Sequence, residues 1–349
     1  MDTKVVFMDE SNIDIIALQE AGAWIRKGEL VAFPTETVYG LGGDALQADS
    51  SRKIYEAKGR PSDNPLIIHI AKWEDIYHIC REIPPTAEKL AEVFWPGPLT
   101  MILKKQDIVP KETTGGLDTV AVRLPSHPVA RAFIEAAGGY VAAPSANVSG
   151  RPSPTLAKYV FEDMEGKIPM IIDSGIVGIG VESTIIDLTE GTPVILRPGS
   201  ITREMLQDVL GDVKSDVGML EKPEGVAPKA PGMKYRHYAP KGNLTIVSGD
   251  SADVVAYING ACAAAAETGK RTGVLCTQET MSLYQADSIK CMGTRSDEST
   301  VAQGLYQILR ECDDEGLEVL FAESFSTQGI GQAIMNRLLK AAGYQMVEL

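Results

Sequence analysis

Cysteine is scarce in this sequence and nowhere grouped: Cys80, Cys262, Cys276, Cys291 and Cys312 are odd in number, lie far apart and form no C-x-x-C pair. That excludes a disulfide framework and a thiolate zinc site, and such thiols read as reduced, in a reducing compartment. Only four histidines are present, with no H-E-x-x-H and no close His/Cys cluster, so no protein-held metal is expected. There is no G-x-x-x-x-G-K-[ST], which removes the P-loop. No run approaches the roughly 18 apolar residues of a membrane span. Residues 1–10 include Asp2, Asp9 and Glu10 and no apolar stretch behind a basic one, unlike a secretory signal. Positive charge is also in deficit. A formal net charge of −14 sets up a mean field that repels polyanions, against indiscriminate binding to nucleic acid or anionic membrane. The expectation is a cytoplasmic protein.

At 349 residues the chain exceeds what one hydrophobic core usually serves, so two domains are expected. Apolar spacing predicts a helix over 13–27, capped by Ser11 or Asn12 and closed by Gly28, then a strand over 30–33 ended by Pro34. Helices are expected over 49–58, 85–94, 128–137 and 202–210. Strands are expected over 66–70, 99–103, 119–124, 140–143 and 170–173, with a hairpin from 184–188 and 193–196. Strands and helices mix without regular alternation, which predicts a mixed sheet. Strict alternation returns after residue 242, and predicts a smaller three-layer α/β domain with a largely parallel sheet. The expected division is 1–212 for the first domain, 213–241 for a linker punctuated by Pro223, Pro228, Pro231 and Pro240, and 242–349 for the second.

Gly40 to Ala45 fits G-x-G-x-x-A in letters, but no βαβ unit surrounds it, and a turn is expected instead. Several polar, glycine-containing segments follow predicted strands. Pro34 to Gly42 places Thr35, Glu36, Thr37 and Tyr39 close together, more polarity than a strand and turn require. Lys58-Gly59-Arg60-Pro61, with Asn64-Pro65 and then His69, joins a point charge and a planar fork on a stiffened loop, which suits an oxyanion. His69 by itself reads more readily as a satisfied core histidine. Arg123 on an otherwise apolar strand is a surface side chain or, if it faces a cleft, a bidentate partner for a carboxylate. Ala143 to Thr155 holds Ser145, Asn147, Ser149 and Ser153 with Gly150, small groups that let a ligand approach the backbone. Glu182-Ser183-Thr184 and Arg197-Pro198-Gly199 complete the set. Residues 227–241 hold Lys229, Lys234, Arg236 and Lys241, no acid, and the run Tyr235 to Tyr238, more binding chemistry than a spacer needs.

Taken in order, P-T-E-T-V-Y-G-L-G, K-G-R-P with D-N-P-L, P-G-P-L-T, V-A-V-R-L-P, A-P-S-A-N-V-S-G, E-S-T-I-I-D and L-R-P-G resemble the YrdC/Sua5 family over roughly residues 13–210. The segment G-M-K-Y-R-H-Y-A-P and the α/β domain after it are similar to the two-domain Sua5 branch. The resemblance implies a YrdC-like twisted mixed sheet around a concave, positively lined cavity, followed by a smaller Rossmann-like domain. It implies L-threonylcarbamoyladenylate synthase activity, in which L-threonine, bicarbonate and ATP give threonylcarbamoyl-AMP and pyrophosphate for t6A at position 37 of ANN-decoding tRNAs. Carried over by motif position, Thr37, His69, Arg123, Ala143 and Ser183 would hold threonine. Lys58, Arg60, Asn64, Thr119, Ser145, Asn147, Ser153, Arg197, Tyr235 and His237 would hold ATP. Lys58 and Arg60 would also act in catalysis.

No protein nucleophile is required by this chemistry, so positioning and charge stabilisation dominate, with Mg2+ carried by ATP. The linker is expected to cover the site, and the product to pass to a tRNA threonylcarbamoyl-transferase complex. Two other readings compete. An RNA-binding module could use a positive concavity, but the acidic balance and lack of aromatic stacking motifs oppose it. A carbamoyl-transfer module of the hydrogenase-maturation type would need zinc-finger and acylphosphatase segments, and neither is present.

Overall fold

The computed structural model describes residues 2–216 and 237–349. The chain forms two compact units. The first comprises Met1–Ser149, Ser153–Gly178 and Glu182–Lys234, and the second comprises Gly150–Pro152, Ile179–Val181 and Tyr235–Leu349.

The first unit runs β1 (Lys4–Phe7), α1 (Ile15–Arg26), β2 (Val31–Phe33), β3 (Gly40–Asp44), α2 (Ala48–Lys58), β4 (Ile67–Ile70), α3 (Ile76–Ile79), β5 (Cys80–Glu82) and α4 (Pro85–Phe94). It continues with β6 (Leu99–Lys105), β7 (Thr119–Arg123), α5 (Pro128–Ala136), β8 (Tyr140–Ala143), α6 (Ala157–Met164), β9 (Met170–Asp173), β10 (Thr184–Asp187), β11 (Val194–Arg197), α7 (Arg203–Leu210) and β12 (Lys214–Ser215). The strands join in the order β1-β9-β2-β3-β8-β4-β7-β6-β10-β11-β12, with β5 paired to β6. Parallel pairs such as β4/β7 and β6/β10 alternate with antiparallel pairs such as β4/β8 and β6/β7, the expected mixed sheet.

The strands read as nearly continuous apolar runs because both faces are buried. Leu41, Ile68, Met101, Val122 and Ala142 pack with Ile54, Leu90, Val160 and Leu206 of α2, α4, α6 and α7. The opposite face is shared. Val31, Phe33, Val141, Ala143 and Ile172 pack under α1 and α5 through Leu18, Ile25, Val129 and Phe133. Beside them Ile67, Ile102, Ala121 and Ile185 form a separate small cluster with no helical residue in it.

Four features depart from the pattern-based expectation. Gly40–Asp44 is a strand, not a turn. A Cβ at Gly42 would lie 2.8 Å from Val141 Cγ1 and 3.1 Å from both the Val31 carbonyl and Phe33, so glycine serves close strand packing. The cap of α1 is Asp14, whose carboxylate accepts from the Ala17 N–H, and not Ser11 or Asn12. β12 pairs in parallel with β11 at Lys214 and Ser215, inside the stretch expected to be linker. Short β1, β5 and α6 carry too little periodicity to be legible.

The second unit runs β13 (Asn243–Ser248), α8 (Ser251–Glu267), β14 (Thr272–Thr277), β15 (Ser288–Gly293), α9 (Glu298–Asp314), β16 (Val319–Glu323), α10 (Gly329–Ala341) and β17 (Met346–Glu348). Its five strands lie in the order β15-β14-β16-β13-β17, every pair parallel. Val254, Ile258 and Cys262 of α8 pack on Val247, Val274, Cys276 and Phe321. Among the described residues no helix is long and apolar enough to cross a membrane.

Candidate active site

Strand register aligns the first group of polar side chains. His69 on β4 is opposite Arg123 on β7, Arg123 is opposite Thr100 on β6, Thr100 is level with Ile185 on β10, and Ile185 with Arg197 on β11. Directly paired residues face the same side of a sheet, so this polar row sits on the face that carries the Ile67, Ile102, Ala121 and Ile185 cluster. Ser183, just before β10, joins the row: its Oγ is 2.7 Å from Thr100 Oγ1 and accepts from Arg197 Nη2 at 3.1 Å. Arg197 Nε also donates to the Ser183 carbonyl at 3.0 Å.

His69 is buried, with its Nδ1 3.1 Å from the Ile67 carbonyl and its ring edge against Phe33. Burial, reinforced by the Arg123 guanidinium, pushes its pKa down to about 3, so the imidazole is neutral at physiological pH. A neutral imidazole can accept or donate one hydrogen bond without adding charge beside Arg123.

The loop after β2 supplies a residue the motif carry-over did not include. Glu36 Oε1 lies 2.8 Å from Arg123 Nη2, with both side chains largely buried. The distance is that of an ion pair, but the N–H direction misses. Among the described residues no group gives a hydrogen bond to either Glu36 oxygen, or accepts one from Arg123 Nε or Nη2. Its neighbours are structural: Thr35 Oγ1 accepts from the Thr37 and Val38 N–H groups, and Tyr39 OH donates to the Gly175 carbonyl at 2.7 Å. Thr37 is fully buried with its hydroxyl 2.9 Å from that of Thr35. Thr100 is the second residue missed. Both stood in recognisable motifs, P-T-E-T and P-G-P-L-T, but only strand register and loop packing bring them to Arg123.

A second group gathers where β4 and β7 begin. Ile67 pairs with Ala121 and with Ala143, so Asn64-Pro65, Thr119 and Ser145 share the other end of the same strands. That end lies roughly 13 Å from the His69 level at about 3.3 Å per residue. Lys58 closes α2 and Gly59 caps it in the left-handed region at φ 60°, which turns the chain so that Lys58 and Arg60 serve different loops. Lys58 Nζ donates to the Ser145 and Asn147 carbonyls, and Ser145 Oγ donates to Asn147 Oδ1 at 2.5 Å. Arg60 Nη2 donates to the carbonyls of Asn64 at 3.0 Å and Pro65 at 3.2 Å. The Asn64 side chain is buried with no hydrogen-bond partner among the described residues on either amide atom.

The residues expected to hold ATP therefore divide. Lys58, Arg60, Asn64, Thr119, Ser145 and Asn147 come together, whereas Arg197 stands with Ser183 in the His69 row. Ser153 lies beside that row, its Oγ donating to Glu182 Oε1 at 2.6 Å. Ala143 is on β8 between the two levels. His237 belongs to the second unit, its ring 5.5 Å from that of Tyr238. Tyr235 lies outside the described residues. A cavity of about 340 Å³ lined by Trp73, Glu88, Ala91, Glu92, Trp95 and Leu124 holds none of the site residues. Among the described residues no group of three or more His, Cys, Asp or Glu side chains is placed to hold a metal.

Residues 23–199 match the Sua5_yciO_yrdC family model, described as telomere recombination, and residues 201–343 match the threonylcarbamoyl-AMP synthase C-terminal domain. The chain is 49% identical over 329 residues to a threonylcarbamoyl-AMP synthase of Pyrococcus abyssi, covering 94% of this chain and 95% of that protein. It is 46% identical to a threonylcarbamoyl-AMP synthase of Bacillus subtilis, covering 99% of this chain and all of that one (100%). A solved structure of P. abyssi Sua5 complexed with L-threonine superposes with a TM-score of 0.94 at 46% identity, covering 99% of this chain and 100% of that one. With one family model spanning the site-bearing unit, a second the α/β unit, and relatives similar over nearly their whole length, the chain belongs to the Sua5/YrdC family, in its two-domain form.

Proposed function

We propose that this protein is an L-threonylcarbamoyladenylate synthase, a nucleotidyltransferase that joins L-threonine, bicarbonate-derived CO2 and ATP. The observation that carries the reading is the separation of two polar groups along the same strands, within a family whose P. abyssi member has been solved with L-threonine. The His69, Arg123 and Ser183 row, with Thr37 and Ala143 beside it, suits a small amino acid whose carboxylate engages the unsatisfied guanidinium donors of Arg123. The Lys58, Arg60, Asn64, Thr119, Ser145 and Asn147 group suits a nucleotide phosphate chain, whereas Arg197 and Ser153 stand at the end of the His69 row. The two ends are too far apart for one small ligand and suitably spaced for two substrates joined end to end.

The deprotonated threonine amine forms a C–N bond to CO2 as one C=O π bond breaks onto oxygen, the nitrogen gives up a proton to solvent, and the resulting carbamate oxygen attacks the α-phosphorus. The bond from that phosphorus to the β-phosphate bridging oxygen breaks, and pyrophosphate leaves with the electron pair. Lys58 and Arg60 offset charge on the phosphates, and Mg2+ would be ligated mainly by phosphates and water. The product is destined for tRNA threonylcarbamoylation by a separate transferase in the cytoplasm.

The test is pyrophosphate release from ATP and bicarbonate, comparing L-threonine, L-serine and no amino acid. Release should depend on L-threonine and fall by about a hundredfold or more in Lys58→Ala and Arg60→Ala, since each removes a positive group from the reacting phosphates. Equal release without threonine, or full activity in both variants, contradicts the proposal.

A further inference from the structure

Glu36 poses a question that the reaction outlined above leaves unanswered. Both of its carboxylate oxygens are buried and neither accepts a hydrogen bond from any described residue. Arg123 Nη2 stands 2.8 Å from it, and among the described residues the guanidinium's own Nε and Nη2 donors are unsatisfied as well. An ion pair buried for stability alone satisfies itself with directed hydrogen bonds, because an undirected buried pair leaves both desolvation penalties poorly compensated. Here the two charges are held side by side with their hydrogen-bonding capacity unused. A zwitterion has the matching pattern, since the carboxylate and ammonium of an α-amino acid are separated by a single carbon.

We propose that Glu36 is the receptor for the substrate's α-ammonium group, acting beside Arg123, which takes the α-carboxylate. The inference rests on the reading of the Arg123 row as an amino-acid site, and adds a residue that selects amino acids over other small acids. Placement supports it from both sides. Thr37, the next residue, lies fully buried at the same loop, and His69 and Thr100 flank Arg123 on the paired strands, leaving the β-hydroxyl to neutral partners. His127 is another titratable group whose charge interacts with Glu36, as it does with Glu10, and burial lowers its pKa, which favours its neutral form.

The experiment is calorimetric titration of the full chain with L-threonine and with (2S,3R)-2,3-dihydroxybutanoate, which keeps the carboxylate and β-hydroxyl and replaces the ammonium by a hydroxyl. Wild type, Glu36→Gln and Glu36→Asp are compared. Wild type should prefer L-threonine. Glu36→Gln should weaken L-threonine by roughly tenfold or more, the loss of one charge-assisted contact, while leaving the hydroxy acid unchanged or tighter because Arg123 is released from its neighbour. Glu36→Asp should recover part of the preference, which a variant that merely disturbs the loop would not do. Equal weakening of both ligands by Glu36→Gln, or unaltered L-threonine affinity in that variant, overturns the role of Glu36. A wild-type protein that binds neither ligand overturns the amino-acid site itself, and with it this inference.

Discussion

Neutral His69 and the Arg123 guanidinium occupy paired positions on adjacent strands, and this arrangement has a consequence for acid stability. The unfolded chain takes up a proton on His69 near pH 6.5, whereas burial and the adjacent guanidinium hold the folded value down to about 3. Between those limits the unfolded state binds the extra proton, so the stabilisation is complete above the unfolded value and declines as pH falls from about 6.5 toward 3. Replacing His69 by asparagine should make the melting temperature fall less steeply than in wild type between pH 6.5 and 4. Parallel melting curves for the two proteins across that range would contradict the assignment. His69, Arg123 and Ser183 were legible because each stands in a distinctive motif. Glu36 and Thr100 stood in equally distinctive motifs, yet nothing in the sequence separates a carboxylate with unused hydrogen-bonding capacity from one that packs. That distinction depends on the 2.8 Å approach to Arg123 and on the missing N–H alignment.

Elements act here chiefly by deciding which side chains can share a level. The glycines of Gly40–Asp44 read as a turn in the sequence because glycine is depleted in strands. In the sheet they admit Phe33 and Val141 at a separation no side chain allows, and Gly40 bridges to Ser145, which ties β3 to the loop holding Asn147. Gly42→Ala should destabilise the protein by about 1–3 kcal/mol, the usual cost of overpacking a dense core, read as a lower midpoint in urea unfolding. An unchanged midpoint would mean that Val141 and Phe33 yield at no cost. The end of α2 shows the opposite case. Lys58-Gly59-Arg60 was legible as a turn carrying two cations, and the left-handed Gly59 explains why they reach separate loops. What the sequence did not reveal is that both cations brace those loops through backbone carbonyls.

For the whole molecule, charge and division into units matter most. The chain's −14 opposes polyanions at long range, while Lys58, Arg60, Arg123 and Arg197 concentrate positive charge within the first unit. On the proposed reading, small anions are held at these groups while a nucleic acid backbone is repelled at long range. Unmodified tRNA should bind more weakly than about 10⁻⁵ M near physiological salt, within the range of non-specific association, as measured by fluorescence anisotropy. Tight, salt-sensitive binding without ATP turnover would favour an RNA-binding module instead. The second unit's parallel sheet followed from the strict alternation of its sequence, except for the three-residue edge strand β17, which is too short to show a pattern. The membership of Gly150–Pro152 and Ile179–Val181 in that unit did not, since segment pairing between distant parts of a chain leaves no local pattern.

The sequence by itself determined the class of each unit, most of the longer elements, and the order of motifs that marks the family. Those properties depend on local periodicity, on capping and turn chemistry, and on residue types at short spacing. Tertiary structure alone decided that Arg197 stands with Ser183 and not with Lys58, that the Gly40–Asp44 segment is a strand, and that Glu36 meets Arg123 with its oxygens unsatisfied. The physical reason is common to all three. Register and close packing fix which side chains face one another across strands far apart in the chain, and desolvation makes an unused buried hydrogen-bonding group costly enough to signify a ligand.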